Sequence, residues 1–280
     1  MRIGRLSIAL LLGLPVAYLV VFFLVPFGSV VVTSLTAKDG GGTTFANFQR
    51  VLADTYYWET LIFSFRLALW TTLVVLLIGY PLAYTMTFHI RKKIWRRLIF
   101  LVVVTPLFTS SIVRAFGWLV LLGRRGFVNE TIIWLGFAEK PMQLLFNEFG
   151  IIVGLTYIMV PFMVLTVASV LQNLEPALLE AARDLGANPI VAFLKVTFPL
   201  SLPGVVAGSL IVFTLSVSAY VTPSILSGGK RTVMSMLIYQ QYNTTFDFNF
   251  GGALAVVLLV STLVIIGAYL AVIERYGRTG

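Results

Sequence analysis

The chain has 280 residues, of which 59% are hydrophobic and 11% charged. A soluble domain is about half apolar and a quarter charged, so the composition points to an all-α, polytopic membrane protein; a membrane β-barrel would show weaker alternating segments of about ten residues. With no cysteine and one histidine, disulfides, thiol chemistry and Cys/His metal sites are excluded, and the net charge of +9 has to be read by position.

Arg2 and Arg5 precede an uncharged run from Leu6 to Ala37. The run is about twice the 7–15-residue apolar core of a cleavable signal, so it predicts a first span over 8–33, kinked by Pro15 and Pro26. Residues 36–60 read as a Gly/Thr-rich loop that ends in an interfacial anchor at Tyr56, Tyr57 and Trp58. A second span over 62–88 leads to the basic run RKKIWRR (91–97), read as a topology and lipid-headgroup anchor. The third span, 98–122, contains Pro106 and a hydroxyl cluster at Thr109, Ser110 and Ser111. A mixed loop over 123–147 contains GRRGFVNETIIWLGF, which has the look of a short interfacial helix. The remaining spans fall at 149–173, 201–223 and 250–272. No internal repeat or domain boundary is visible, so residues 1–280 read as one membrane domain.

Six spans put both termini on one side. The loops on that side carry a net charge of +7 and those on the other side 0, with Arg66 and Arg114 left near the outer ends of spans. Cytoplasmic loops are enriched in Lys and Arg. Both termini, the basic run and the polar stretch between the fourth and fifth spans are therefore expected in the cytoplasm. Arg114 is expected to snorkel to the outer interface.

That polar stretch, about 174–200, organises the rest: EPALLEAARDLGANPIVAFLKVTFPLSLP from Glu175 to Pro203. Pro176 and Pro189 each suit the first position of a helix. Asn188 suits an N-cap, and Gly186 suits the left-handed residue that ends a helix. Two helices of about ten residues with a glycine elbow are predicted, too short to stand alone in water. At helical spacing Leu178, Ala182 and Leu185 share a face of the first, with Glu180, Arg183 and Asp184 turned away; Ile190, Phe193, Leu194 and Thr197 share a side of the second.

Several chemistries are missing. No GxxxxGK[ST] phosphate loop occurs, and SGGKRT lacks the spacing. His89 sits at a span end among basic residues, away from any intramembrane serine, which disfavours an intramembrane hydrolase. No Asp or Glu falls inside the predicted spans, whereas ion-driven carriers commonly place ionisable groups there. An energy source on another subunit is the simpler reading; an ion-gradient-driven secondary transporter is the alternative.

Glu180-Ala181-Ala182, three residues, Gly186, nine residues, Val196, one residue and Phe198-Pro199 resemble the EAA signature of permease subunits of binding-protein-dependent (type I) ABC importers. The family pattern has Ile and Leu where this chain has Val196 and Phe198, two apolar exchanges. TPLFTSSIVRAFGWLVLLGRRGFVN (105–129) and SAYVTPSILSGGKRTVMSMLIYQQY (218–242) resemble the polyamine and opine-type branch, with iron, sulfate and phosphonate permeases sharing much of it. The resemblance implies a six-span permease of a bacterial inner membrane, without catalytic or metal-binding residues and without nucleic-acid partners. It implies a second, different permease, two ATPase subunits that carry ATP and Mg, and an extracytoplasmic solute-binding protein received by the loops 39–58 and 224–248. It also implies that Glu180, Ala181, Ala182, Gly186, Val196, Phe198 and Pro199 couple the chain to the ATPase. A polyamine such as spermidine or putrescine is the favoured cargo, with opine, amino acid, iron and phosphonate as alternatives. Polar residues at depth are candidates for the solute path: Thr109, Ser110, Tyr157, Ser216 and Tyr220, with Thr105, Ser111, Ser218 and Thr222 beside them. Hydrogen bonding between spans would also account for them.

Overall fold

The computed structural model describes residues 5–37, 42–90 and 92–277. Arg2, Lys38, Asp39, Gly40, Gly41, Arg91 and Arg278, all used in the loop and charge assignments, lie outside these residues. Among the described residues the chain is helical, apart from an isolated bridge between Thr36 and Thr43.

Helices α1 (Arg5–Leu19) and α2 (Val25–Ser34) are joined by a wide π-turn at Val20–Leu24. Short α3 (Ala46–Ala53) precedes α4 (Thr55–Tyr84), which ends in a π-turn at Thr85–His89. Helix α5 (Lys93–Val104) tightens into a 3-10 turn at Thr105–Phe108, and α6 (Ser111–Leu121) leaves it at 106°. Then come α7 (Phe127–Trp134), α8 (Glu148–Gln172), α9 (Pro176–Asp184) and α10 (Pro189–Ala192). A π-turn at Phe193–Thr197 joins α10 to α11 (Phe198–Ser218), followed by α12 (Val221–Leu226), α13 (Met234–Asn243) and α14 (Phe248–Gly277). Five stretches are long and apolar enough to cross a membrane: Leu12–Ser34, Thr55–His89, Glu148–Gln172, Pro189–Ser218 and Phe248–Ile273. The bent pair α5–α6, taken as one span, is the sixth.

The elements depart from expectation in four places. The third span is broken rather than kinked at Pro106. The proline sits inside the 3-10 turn, and extended backbone at Thr109 and Ser110 then restarts the chain as α6. The second short helix of the polar stretch is no separate element, because α10 continues into the fifth span as one helical run, Pro189–Ser218. A π-turn just before Pro199 removes the clash that its ring would make with the carbonyl four residues back. The fifth span stops at Ser218, so Tyr220 and Thr222 belong to the start of α12. Tyr56, Tyr57 and Trp58 lie in the first turn of α4 instead of a loop, where the Asp54 carboxylate accepts from the Tyr56 N–H at 2.9 Å.

The chain forms two compact units. The first comprises residues 1–61 and 234–280. Here α14 packs on α2, α3 and α13. The last carbonyls of α2, which a helix leaves without partners, are taken by two side-chain amides. Asn47 Nδ2 donates to Ser34 O (3.0 Å) and Thr36 O (3.2 Å), and Asn249 Nδ2 donates to Thr33 O (3.2 Å) and Thr36 O (2.8 Å). Fully buried Phe250 has the Arg50 guanidinium 4.1 Å above its ring and Tyr57 edge-on at 5.3 Å.

The second unit, residues 62–233, is built around α8. Met159, Met163, Val164, Val167 and Leu171 of α8 meet Val75 and Ala83 of α4 and Val205 and Val212 of α11 in one core. Helices α8 and α11 lie against each other along their length. The sequence permits this through Gly204-Val-Val-Ala-Gly208, a small-xxx-small pattern on α11. A Cβ at Gly208 would lie 2.5 Å from Thr166 Oγ1 and 2.8 Å from Met163 Sδ; one at Gly204 would lie 3.1 Å from Thr166 O. At the other end of α8, Asn147 caps the helix by accepting from the Gly150 N–H (3.0 Å), and first-turn Glu148 pairs with Arg66.

Candidate coupling site

Helix α9 starts at Pro176 and ends as the sequence foretells. Gly186 has φ +82°, and the Gly186 and Ala187 N–H groups donate to Arg183 O (2.8 Å) and Ala182 O (3.0 Å). Those two bonds, with a left-handed glycine between them, form a Schellman motif. Two residues on, the Asn188 side chain accepts from the Val191 N–H at 2.8 Å and opens α10, with Pro189 in its first turn. The elbow is thus fixed at both sides by local bonds.

What the elbow leaves uncovered is apolar. Leu185 is 89% exposed, Ile190 69%, Leu194 57% and Leu178 44%. No residue of α9 is buried; Glu180, Ala181, Arg183 and Asp184 are exposed, and Ala182 is half-buried. The side predicted for the second helix is divided: Ile190 and Leu194 face outward, while Phe193 is half-buried and Thr197 fully buried. Val196 is half-buried within the π-turn, Phe198 is 39% exposed, and Pro199 is exposed.

Phe193 and Phe198 face the end of α4. Tyr80 lies edge-on to both at 5.9 Å, and Tyr84 is 5.3 Å from Phe193 and 5.4 Å from His89. Buried Ser201 donates to Phe198 O (2.8 Å) and stands 2.9 Å from Tyr80 Oη, so Tyr80 is the donor in that pair. Tyr80, Tyr84, Phe193 and Ser201 were absent from the sequence-derived site. The signal for two of them was present: Tyr80 and Tyr84 are four apart, on one helix face. Their partners lie about 120 residues away in the chain, a pairing that no local pattern carries.

Of the solute-path candidates, Tyr157 and Tyr220 line two different cavities. One, of about 550 Å³, is almost wholly apolar; it has Trp70, Pro106, Trp118 and Tyr157 in its wall, with Tyr157 edge-on to Trp118 at 5.7 Å. The other, of about 300 Å³, is lined by Ser111, Arg114, Met159, Tyr220 and Thr222 among others. Ser216 is buried with its hydroxyl unpartnered. Thr109 and Ser110 line neither cavity; they sit at the break of the third span. Arg114 does not snorkel. Its guanidinium folds back onto Pro106 O, which also accepts from the Thr109 N–H at the end of the 3-10 turn, and its Nε is buried without a partner.

A broken third span, a short helical elbow continuous with the fifth span and two cavities beside α8 describe a helical membrane protein. The chain belongs to the family of binding-protein-dependent transport system inner membrane components, whose model matches residues 76–275. It is the transmembrane permease subunit of an ABC importer of the inner membrane, a class in which a separate subunit hydrolyses ATP. It is 33% identical over 268 residues to the spermidine/putrescine transport system permease protein PotB of Escherichia coli (strain K12), covering 94% of this chain and 95% of that protein. The PotB protein of Haemophilus influenzae is 33% identical over 261 residues, covering 90% and 89%. Among solved structures, a bacterial ABC transporter involved in the import of the acidic polysaccharide alginate has the same fold, with a TM-score of 0.72 at 18% identity over 96% of this chain and 95% of that one.

Proposed function

We propose that this subunit carries a polyamine such as spermidine or putrescine into the cell, in a complex with a second, different permease, two ATPase subunits that hold ATP and Mg, and an extracytoplasmic solute-binding protein. The whole chain acts as one permease domain with both termini in the cytoplasm. The continuity of α10 with α11 carries this reading: a push on the exposed face of Leu178, Leu185, Ile190 and Leu194 passes through the fixed elbow directly into the fifth span. The Tyr80–Ser201 bond and the four aromatic rings extend it to the second span. Glu180, Ala181, Ala182 and Gly186 form the docking part; Val196, Phe198 and Pro199 form the part that transmits motion. The segments 39–58 and 224–248, which include α3 and α13, receive the binding protein. The likeness to PotB supports the cargo class.

A second reading rests on Arg114. It places an uncompensated cation at the cavity that Tyr220 and Thr222 also line, and that favours cargo with a carboxylate, an opine or amino acid, over a polycation. One experiment separates the two. ATP hydrolysis by the co-purified complex in lipid, with its binding protein, is measured across polyamines, opines, amino acids and anions. Stimulation by spermidine or putrescine is expected. Stimulation only by carboxylate-bearing solutes overturns the polyamine reading, and absence of a co-purifying ATPase overturns the coupling reading.

A further inference from the structure

At the end of the second unit from which α9 departs, a groove of about 520 Å³ opens between α5 and α8, with Met86 of the preceding π-turn at its edge. Its chemistry is segregated. Arg96 and Arg97 supply the charge, Ser169 and Gln172 of α8 add polar groups, and Phe100, Leu101 and Leu165 form an apolar wall. Neither guanidinium has an ion-pair partner among the described residues. On the α5 side the sequence offers none, since from Thr60 to Asn129 there is no Asp or Glu, while Lys92 and Lys93 add two further cations within a turn; Glu175, three residues beyond Gln172 on the α8 side, forms no ion pair with either among the described residues. Trp95 stands exposed at the same level, the position of an interfacial aromatic.

The occupant has to satisfy both halves. A polyamine is repelled by two arginines. A protein helix would strip water from both guanidiniums, at a cost that only well-placed acids offset. A phosphodiester accepts from guanidinium in a bidentate fashion, and an acyl chain suits the apolar wall. Basic clusters at a membrane face attract anionic lipid in this way. We infer that this groove holds an anionic phospholipid, its phosphate bridged by Arg96 and Arg97 and an acyl chain lying along Phe100, Leu101 and Leu165. The lipid fills the gap between the third and fourth spans beside the coupling element. This site is separate from the cargo path and does not depend on which solute is carried.

The test is lipid retention by the intact purified complex, read by native mass spectrometry after reconstitution in phosphatidylcholine with phosphatidylglycerol and cardiolipin. The unaltered complex is expected to retain the anionic lipids. R96Q/R97Q should retain about twenty-five-fold less, since each basic residue contributes on the order of a fivefold preference for an anionic surface. R124Q/R125Q, which removes the same charge from an exposed loop, should match the unaltered complex, and R96K/R97K, which keeps the charge without the bidentate fork, should fall between the unaltered complex and R96Q/R97Q. Leu101→Trp fills the wall without touching charge and should also expel the lipid. Equal retention by R96Q/R97Q and R124Q/R125Q overturns the site. Because the chain has no cysteine, Ser169→Cys gives it a single thiol: labelling by a membrane-soluble maleimide in the assembled complex is expected, and protection of that thiol until the complex is dissociated overturns the site by showing that protein, not lipid, covers the groove.

Discussion

The α8–α11 pair and the α9–α10 elbow, neighbours in one unit, solve opposite problems. The pair hides its apolar side chains and brings backbones together through Gly204 and Gly208. The elbow does the reverse, holding its backbone rigid with a Schellman motif and an Asn cap while leaving leucines and an isoleucine in the open. In the pair, side chains complete the fold within the chain. In the elbow, local backbone bonds hold the shape, and the side chains are left for a second molecule. Stability and function are thus assigned to different atoms, and mutations at the two places are expected to fail in different ways.

The sharpest break is in the pair. Gly208→Leu drives a branched side chain into Thr166 and Met163, and overpacking at a close helix crossing costs about 3 kcal/mol. Loss of folded complex from detergent extracts is expected; a normal yield and melting temperature would show that the helices can part. Next is the elbow. Gly186→Val forces a β-branched residue to φ +82°, a strain of roughly 1–2 kcal/mol, with open space around the side chain. Insertion and yield should persist while uptake falls, and unimpaired uptake would remove the elbow from the coupling route. Tyr80→Phe deletes one hydrogen bond and keeps the ring. Ser201 retains Phe198 O as acceptor, so the loss is about 1 kcal/mol; the expected result is a small fall in melting temperature with a larger fall in solute-stimulated ATP hydrolysis. The smallest effect belongs to Arg66→Gln. The ion pair with Glu148 is half-exposed, with 51% of the Arg66 side chain accessible, and such pairs contribute under about 1 kcal/mol. Stability and transport should stay near unaltered levels at physiological salt.

Residues 174–200 also show which parts of a structure sequence can carry. Pro176, Gly186, Asn188 and Pro189 act on backbone within a few residues of themselves, so their roles were readable at once, and the structure places each in the position expected. The six-span layout followed from hydropathy, a similarly local signal. The break in the third span was not readable. Pro106 announces a disturbance, but the chain turns by 106° three residues later, at Thr109 and Ser110, where the 3-10 turn and a new helix start combine. Arg114's partner was hidden for the same reason: the break brings Pro106 O, eight residues back, within its reach, where it accepts from Arg114 as well as from the Thr109 N–H. The split face of α10 depends on Tyr80 and Tyr84, which arrive from another span.

The two amides that finish α2 come from opposite ends of the gene's message. Asn47 follows Thr36 at once, whereas Asn249 is made 213 residues later. At about 5–20 residues per second, a ribosome needs roughly 10–40 s to cover that interval. During that time the whole of residues 62–233, an unbroken stretch of chain, has been synthesised. The end of α2, made early, is therefore among the last parts to be locked. It waits in the bilayer for the final helix, and a chain truncated before Asn249 would hold a finished second unit beside an unfinished first.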